Sequence, residues 1–153
     1  MNSLKRILLV EDQSKDVELT LAAFAENNLA NGIAVARDGV EALDYLYCRG
    51  KFAGRADGPP AVVLLDIKMP RMNGLEVLRQ IKADPQLKLL PVVMLTSSRE
   101  EPDLVASYEL GVNAYVVKPV EFQQFAEAVK GIGVFWALLN EWPSDCPSVA
   151  RNP

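Results

Sequence analysis

The sequence predicts an α/β fold in which a doubly wound parallel sheet of five strands is covered by helices on both faces. Two observations support this prediction. Five short runs of β-branched and aliphatic residues alternate with segments of helical periodicity, an alternation typical of βαβ units. Each run is apolar almost without interruption, as strands buried on both faces of a sheet should be. The predicted strands span residues 7–10, 33–36, 61–65, 92–95 and 114–117.

Five helices are predicted between and after these strands, and local signals mark their ends. Ser14 is the candidate N-cap of the first helix, which carries Asp16 and Glu18 in its first turn. The third helix stops at Asp84, because the proline that follows disfavours helical geometry there. The fourth ends at Gly111 as the C′ residue. The predicted helices span residues 15 to about 29, 40–49, 75–83, 103–110 and about 121–140.

Together these elements form one (βα)₅ unit of the flavodoxin-like type, with the strand order 2-1-3-4-5. We expect a single domain over residues 1–140 and a short, proline-containing tail over 141–153. Residues 50–60 form a loop that is long for a helix-to-strand connection. The sequence contains no internal repeat and no low-complexity tract.

The composition excludes several classes of function. The chain has no histidine, which rules out a Ser-His-Asp or Cys-His nucleophile, a histidine-ligated metal and a phosphohistidine on the chain itself. A net charge of −4, with no long run of Lys or Arg, argues against direct nucleic-acid binding. Cys48 and Cys146 are interpreted as free thiols of a cytosolic protein. The apolar run at 7–10 is too short for a signal peptide or a membrane span.

Residues that can carry chemistry follow four of the five predicted strands. In doubly wound sheets, ligands bind outside the carboxyl ends of the strands. Glu11 and Asp12 follow the first strand, Asp66 the third and Lys118 the fifth, and Thr96 ends the fourth. Because these four strands are neighbours in the 2-1-3-4-5 order, we expect the five side chains to converge in one pocket.

Three carboxylates in one pocket need a compensating charge, since two charges about 4 Å apart repel by roughly 4 kcal/mol at an effective dielectric constant of about 20. A divalent cation with all-oxygen ligation, Mg²⁺ or Mn²⁺ rather than zinc, would supply it. Such an ion would let a carboxylate attack a phosphoryl group. Lys118 and Thr96 would then contact two further phosphoryl oxygens.

Each of these residues also has an ordinary structural explanation when taken singly. Asp66 could cap a turn, Glu11 and Asp12 could be solvated loop acids, and Thr96 and Lys118 could lie in surface loops. The coincidence favours a functional explanation, because four strand ends each carry the residue type that phosphoryl acceptance needs.

Five sequence blocks carry a resemblance to a known family. They are residues 9–12 (LVED), 36–43 (ARDGVEAL), 66–74 (DIKMPRMNG), 95–97 (LTS) and 111–119 (GVNAYVVKP). In this order they resemble the conserved blocks of the receiver domain of bacterial two-component response regulators, and the match covers almost the whole chain. The block at 66–74 resembles the phosphoacceptor loop, with Asn73 where Asp is also common.

The resemblance implies that a partner histidine kinase phosphorylates Asp66. It implies that Asp12, Asp66 and the backbone carbonyl of Lys68 bind Mg²⁺, with Glu11 reaching the ion through water. The family would then signal through a conformational switch at its partner-binding face.

The resemblance also assigns residues to the switch. Thr96 and Lys118 would contact the phosphoryl group, and Tyr115 would be the aromatic ring that turns inward when Thr96 moves. The alternative for Tyr115 is plain packing of an amphipathic ring at a strand end. Lys68 and Ser98 occupy positions that, by resemblance, tune the lifetime of the phosphoryl group.

Four further blocks resemble a narrower group, the small single-domain regulators that serve cyanobacterial and bacterial phytochrome-type histidine kinases. They are the loop at 50–60 and residues 81–85 (IKADP), 106–110 (ASYEL) and 135–136 (FW). This similarity implies a phytochrome-type histidine kinase as the partner.

A second apolar stripe on the predicted fifth helix indicates a contact surface. Phe135, Leu138 and Trp142 lie roughly opposite the core-facing residues of that helix at about 100° per residue. Exposed aromatic patches usually mark contact surfaces. We expect the face built from the fourth helix, fifth strand and fifth helix to form a homodimer or to dock a partner. The alternative is that the helix ends near Gly133 and the aromatic residues fold back onto their own domain.

Three other functions are compatible with this architecture. An aspartate-nucleophile phosphohydrolase of the haloacid dehalogenase type needs a second acid two residues after its nucleophile, where this chain has Lys68. A flavin-phosphate binder needs a loop rich in Gly, Ser and Thr after the first strand, where this chain has Glu11 and Asp12. A degenerate receiver, acting as a phosphorylation-independent adapter, is disfavoured by the intact acids, Thr96 and Lys118. The sequence therefore predicts a phosphoacceptor and not an enzyme.

Overall fold

The computed structural model describes residues 6–25, 32–56, 58–97 and 100–118. Within these ranges all five predicted strands are present, and helices alternate with them as predicted. No helix in the described ranges is long and apolar enough to cross a membrane. In chain order the elements are β1 (Ile7–Val10), α1 (Ser14–Ala25), β2 (Ile33–Ala36), α2 (Gly39–Leu46), a 3₁₀-helix (Gly50–Phe52), β3 (Val62–Leu65), α3 (Gly74–Ala83), β4 (Val92–Thr96), α4 (Glu101–Glu109) and β5 (Ala114–Val117).

The five strands form one parallel sheet in the order β2-β1-β3-β4-β5, which confirms the predicted fold class. In the register of the sheet, Ile7 of β1 lies between Ile33 of β2 and Val62 of β3. Every residue of β1, β3 and β4 is buried, because these central strands are covered on both faces. The edge strands β2 and β5 are mostly half-buried.

The core has two layers, because successive side chains of each strand point to opposite faces of the sheet. One layer joins the sheet to α2 and α3, and the other joins it to α1. Buried members of the first layer include Leu8, Val63, Met94, Leu43, Leu78 and Ile81. Buried members of the second are Ile7, Leu9, Val17, Val62, Leu64, Val93 and Leu95.

The ends of the first two helices differ from the prediction. The carbonyl of Gln13 accepts a hydrogen bond from the Val17 N–H at 3.0 Å, so the N-cap position belongs to Gln13 and not to Ser14, which is the first helical residue. The second helix ends at Leu46, three residues earlier than predicted. Its end is set by Cys48, which has a left-handed φ of 55° and so cannot continue the helix.

The third and fourth helices begin slightly earlier than predicted. Asn73 caps α3, since its side chain accepts a hydrogen bond from the Glu76 N–H at 3.0 Å. In α4, Pro102 lies in the first turn, where a proline is favourable because that N–H has no partner in a helix. Gly111 follows α4 with a φ of 98°, which agrees with its predicted role at the helix end.

The long connection between α2 and β3 is anchored by Arg55. Its guanidinium lies 3.8 Å from the centroid of the Tyr45 ring and donates a hydrogen bond to the Tyr45 carbonyl at 2.6 Å. A second hydrogen bond, also 2.6 Å long, reaches the Gly58 carbonyl. The Phe52 ring meets the Tyr45 ring edge-on, with 5.1 Å between centroids. The described part of this loop therefore packs against α2.

Several predicted features lie outside the described residues. They are the fifth helix and the tail, together with Ser98, Cys146 and the apolar stripe of Phe135, Leu138 and Trp142. Their assignments stay predictions.

The start of α3 presses against the carboxyl end of β3 at Gly74. A Cβ atom built on Gly74 would lie 2.1 Å from the carbonyl oxygen of Asp66, a distance that atoms do not tolerate. The Gly74 N–H also donates a 2.8 Å hydrogen bond to the Ile67 carbonyl. The chain from Asp66 to Gly74 is thus folded tightly enough to require glycine at its end.

We predict that Gly74→Ala lowers the free energy of unfolding by about 1–3 kcal/mol, the usual cost of overpacking a rigid site. Urea denaturation followed by circular dichroism measures it. Gly54→Ala is the matched control, because a Cβ at that position meets nothing within 4 Å. Equal unfolding midpoints for the two variants would contradict this prediction, because they would show that the backbone near Asp66 can shift to accommodate a Cβ atom without loss of stability.

Candidate functional site

The residues that follow the strands are held in place by the sheet itself. The Glu11 N–H donates to the Ala36 carbonyl at 2.9 Å, and the Asp66 N–H donates to the Val10 carbonyl at 3.1 Å. The Lys118 N–H donates to the Thr96 carbonyl at 2.8 Å. These hydrogen bonds continue the ladders beyond the strand ends, so the backbone fixes where the side chains start.

The predicted acidic cluster forms at this edge of the sheet. One carboxylate oxygen from each of Glu11, Asp12 and Asp66 lies within 4.8 Å of the other two. Glu11 and Asp66 are 2% and 7% exposed, so their mutual repulsion is poorly screened by water. One oxygen of Asp12, Oδ1, is buried and has no hydrogen-bond partner.

Lys118 supplies the opposing charge. Its Nζ donates to Glu11 Oε1 at 2.5 Å, to Asp16 Oδ2 at 2.8 Å and to Asp66 Oδ2 at 3.3 Å. Burial opposes the charge of this ammonium, but hydrogen bonds and attraction from the three carboxylates outweigh burial and raise the pKa of Lys118 above its ordinary value. The lysine therefore stays protonated at neutral pH.

Among the acids of the cluster, Glu11 has a raised pKa. Burial, aided by repulsion from Asp66, raises its pKa to about 7 despite the hydrogen bond from Lys118. Near neutral pH, a proton can thus bind Glu11 and neutralise its carboxylate. An added cation would neutralise the carboxylate in place of that proton.

Asp66 is oriented through both of its carboxylate oxygens. Oδ1 accepts a 2.7 Å hydrogen bond from the Ile67 N–H, and Oδ2 faces the Lys118 ammonium. The Asp66 carboxylate therefore has a fixed position between a backbone donor and a cation. In the loop that follows Asp66, the Met72 N–H donates to the Pro70 carbonyl at 2.7 Å.

A salt bridge ties the same loop to the start of α2. Arg71, which has a left-handed φ of 65°, donates from Nε and Nη2 to the two oxygens of Asp38 at 2.8 and 3.1 Å. Asp38 also caps α2 by accepting from the Glu41 N–H at 2.9 Å. Burial acts to raise the pKa of Asp38, but the hydrogen bonds from Arg71 and Glu41 lower it overall.

Three further predicted site residues lie in described parts of the chain, namely Thr96, Tyr115 and Lys68. Thr96 is fully buried at the end of β4, and Tyr115 on β5 is half-buried and packs against the core layer formed with α2 and α3. The Lys68 side chain is exposed and forms an ion pair with Glu100 at 3.6 Å. Ser98, the second residue predicted to tune phosphoryl lifetime, lies outside the described residues.

Sequence reasoning missed Asp16 as a site residue and treated it only as a first-turn acid. Asp16 lies in the first turn of α1, four residues after the loop residue Asp12, and the side chains of α1 project toward its N-terminal end, where that loop lies. This spacing could have indicated that Asp16 also reaches the pocket. The Arg71–Asp38 pair was missed as well, because periodicity does not reveal a contact between two loops.

The cluster fits a hard divalent cation. Its donors are all carboxylate oxygens, and the unpartnered Asp12 Oδ1 is an oxygen that a cation would satisfy. The described residues offer one ammonium to four nearby carboxylates, so negative charge remains in excess. The arrangement can hold a metal ion and receive a group that carries negatively charged oxygens.

Comparisons with known proteins agree with this geometry. Residues 7–130 match the family model of the response regulator receiver domain. Response regulator Rcp1 of Synechocystis sp. is 38% identical over 135 residues, which cover 88% of this chain and 90% of Rcp1. A crystal structure of the Mn²⁺-bound form of response regulator Rcp1 superposes with a TM-score of 0.82 at 37% identity and covers 92% of this chain and 99% of that one.

Two further solved structures are similar over nearly the whole chain. The phosphorylated cyanobacterial phytochrome response regulator RcpA has a TM-score of 0.85 at 40% identity, covering 93% of this chain and 100% of its own. The bacteriophytochrome response regulator AtBRR is 62% identical with a TM-score of 0.74, covering 92% and 100%. The similarity therefore extends well beyond the site.

We predict that Mg²⁺ or Mn²⁺ stabilises the protein and that Asp12→Asn removes most of this effect. A ligand present at 100 times its dissociation constant stabilises the folded state by about 2.7 kcal/mol. In the absence of metal the variant should be more stable than the wild type, because one repelling charge is gone. Thermal unfolding with and without metal measures both effects.

Glu18→Gln is the control for this experiment, since it removes an exposed acid from α1, the helix that follows Asp12. An equal metal effect in Asp12→Asn and Glu18→Gln would place the ion elsewhere.

Proposed function

The chain belongs to the response regulator receiver domain family, and from this we propose that it accepts a phosphoryl group on Asp66 from a sensor histidine kinase. The observation that supports Asp66 most directly is the orientation of its carboxylate between the Ile67 N–H and the Lys118 ammonium. The adjoining acids, Glu11 and Asp12, each offer a carboxylate oxygen within 4.8 Å of one of Asp66, and together with Asp66 they could hold a metal ion.

The proposed transfer breaks the P–N bond of a phosphohistidine on the kinase and forms a P–O bond to one oxygen of Asp66. The electron pair of the broken bond stays with the imidazole of the kinase. Lys118 neutralises one phosphoryl oxygen as charge develops, and the Thr96 hydroxyl donates a hydrogen bond to another. The chain itself needs no histidine, because the imidazole belongs to the donor protein.

We propose Mg²⁺ as the physiological ion, with Mn²⁺ as a substitute. The ligands would be Asp12, Asp66 and the backbone carbonyl of Lys68, with Glu11 reaching the ion through water. When bound, the ion supplies positive charge to the transferring phosphoryl group. The all-oxygen donor set and the unpartnered Asp12 oxygen support this assignment.

Thr96 and Tyr115 would carry the signal away from Asp66. Thr96 ends β4, and its neighbour β5 carries Tyr115, which pairs with Met94 in the register of the two strands. A movement of Thr96 toward the phosphoryl group changes the space that the tyrosine ring can occupy. Lys68 and Ser98, each two residues beyond a site residue, would tune how long the phosphoryl group persists.

We predict that acetyl phosphate and Mg²⁺ add one phosphoryl group to the wild type and none to Asp66→Asn, because the amide is not a nucleophile for this reaction. Intact-protein mass spectrometry measures the increment. Asp44→Asn is the matched control, since Asp44 lies on α2 and pairs with Arg49 away from the cluster. Labelling of Asp66→Asn would refute the assignment, and an unlabelled wild type would favour a phosphorylation-independent adapter.

We propose a phytochrome-type histidine kinase as the donor. The support is the 62% identity to a bacteriophytochrome response regulator and the 40% identity to a cyanobacterial phytochrome response regulator, both over more than nine-tenths of the chain. At such identity the surface that meets the kinase is expected to be largely shared.

We predict that a phosphorylated phytochrome-type kinase transfers its phosphoryl group to this chain at least about tenfold faster than a histidine kinase with another sensor. Such a preference corresponds to about 1.4 kcal/mol of discrimination at the interface. Transfer from radiolabelled kinases, sampled by rapid quenching, measures both rates. Equal rates would contradict the proposal that the donor is a phytochrome-type kinase, but they would not affect the proposal that Asp66 is the acceptor.

We propose that the face formed by α4, β5 and the predicted fifth helix makes a homodimer. Leu104, Val105 and Tyr108 of α4 are 38%, 45% and 53% exposed, and several large apolar side chains grouped on one helix are typical of contact surfaces. The predicted stripe of Phe135, Leu138 and Trp142, outside the described residues, would extend this face.

We predict that Leu104→Ala weakens self-association about tenfold, as expected for a central contact residue. Sedimentation velocity over a range of concentrations measures the dissociation constant. Leu89→Ala is the control, because Leu89 is 65% exposed in the connection between α3 and β4, outside the proposed face. A monomeric wild type, or equal effects of both substitutions, would contradict the dimer.

A further inference from the structure

Lys118 is held by three carboxylates, and only one of them has no role in the proposed phosphoryl transfer. The distances from Nζ are 2.5 Å to Glu11, 2.8 Å to Asp16 and 3.3 Å to Asp66. Glu11 and Asp66 belong to the acidic cluster that fits a cation. Asp16 lies outside that cluster, yet it is closer to the ammonium than the acceptor is.

The position of Asp16 is built into α1. Val17, the next residue, is buried in the core layer between α1 and the sheet. The Thr20 hydroxyl donates a 2.8 Å hydrogen bond to the Asp16 carbonyl, one turn further along the helix. The backbone at Asp16 is therefore anchored through Val17 and Thr20, and its carboxylate is directed at Lys118 by the helix and not by a mobile loop.

An ammonium has three N–H donors, and each one here faces a different carboxylate. Lys118 must give up at least one of these contacts before it can bind a phosphoryl oxygen. Glu11, only 2% exposed, would be left buried without a partner, which is costly. Asp16 is 32% exposed and regains contact with water when the ammonium leaves. Asp16 is thus the carboxylate that Lys118 can leave at the lowest cost when the ammonium binds a phosphoryl oxygen.

We propose that Asp16 is a positioning residue that competes with the phosphoryl group for Lys118 and so sets how readily Asp66 is phosphorylated. This inference rests on the proposed function. In the resting protein Asp16 draws Lys118 toward α1 and away from Asp66. It also places a negative charge beside the site that an anionic phosphoryl group must enter.

The contact itself is testable without metal or phosphoryl donor, by ¹⁵N NMR of the lysine ammonium groups. The wild type should show a Lys118 signal protected from exchange with water, identified by its absence from Lys118→Gln. Asp16→Asn should weaken this protection, because two of the three contacts remain, whereas Glu18→Gln, which removes an exposed acid from the same helix, should leave it unchanged. Full protection in Asp16→Asn would overturn the proposal.

The competition is tested with beryllofluoride, an unreactive mimic of the phosphoryl group, at saturating Mg²⁺. Binding measured by ¹⁹F NMR should be about tenfold tighter for Asp16→Asn than for the wild type, because one charge-assisted hydrogen bond no longer stabilises the resting state. Glu18→Gln should bind as the wild type does. Asp16→Glu, which keeps the anion, should restore wild-type affinity, a rescue that a purely structural role of the helix would not require.

The outcomes separate this inference from the proposed function. If the wild type fails to bind beryllofluoride, the phosphoacceptor assignment is wrong. If the wild type binds it and Asp16→Asn binds equally or more weakly, only the role of Asp16 is wrong. Asp16→Ser serves as a second neutral variant, and failure of both neutral variants to fold would show that Asp16 is needed for the fold and would also overturn the proposal.

Discussion

The interaction on which the site depends is the attraction between the Lys118 ammonium and the carboxylates that crowd around it. Three acids whose oxygens lie within 4.8 Å of one another cannot all stay charged in a buried pocket without an opposing charge. The Lys118 ammonium provides one positive charge against four nearby carboxylates, and burial, aided by repulsion from Asp66, raises the pKa of Glu11 to about 7. The remaining negative charge suits a divalent cation, and the proposed ion would in turn supply positive charge to a phosphoryl group.

The fold serves this arrangement by fixing where each charged side chain begins. Parallel strands end at the same edge of the sheet, and the hydrogen bonds made by Glu11, Asp66 and Lys118 extend the ladders by one residue beyond the strands. The loop after Asp66 is closed at one end by Gly74, which lets α3 approach the Asp66 carbonyl, and is tied to α2 by the Arg71–Asp38 salt bridge. Charges of one sign are thus held together by packing and backbone hydrogen bonds that do not depend on those charges.

Most of this arrangement could be predicted from the sequence. Uninterrupted apolar runs predict buried parallel strands, and the strand order then brings Glu11, Asp12, Asp66, Thr96 and Lys118 to one edge, as the structure confirms. The early end of α2 could not be predicted, because cysteine has no preference for the left-handed backbone conformation that Cys48 adopts. The contacts of Asp16 with Lys118 and of Arg71 with Asp38 join residues far apart in the chain, and one-dimensional patterns carry little information about such pairs.

We expect Asp66, and no other acid of the pocket, to accept the phosphoryl group. Reduction of the phosphorylated wild type with borohydride converts an acyl phosphate to an alcohol and so marks the residue that carried it. Peptide mapping by mass spectrometry should then find the reduced residue at position 66, with Glu11, Asp12 and Asp16 unchanged. Reduction at any of those three acids instead would contradict the account, because the acceptor would not be the carboxylate that Ile67 and Lys118 orient.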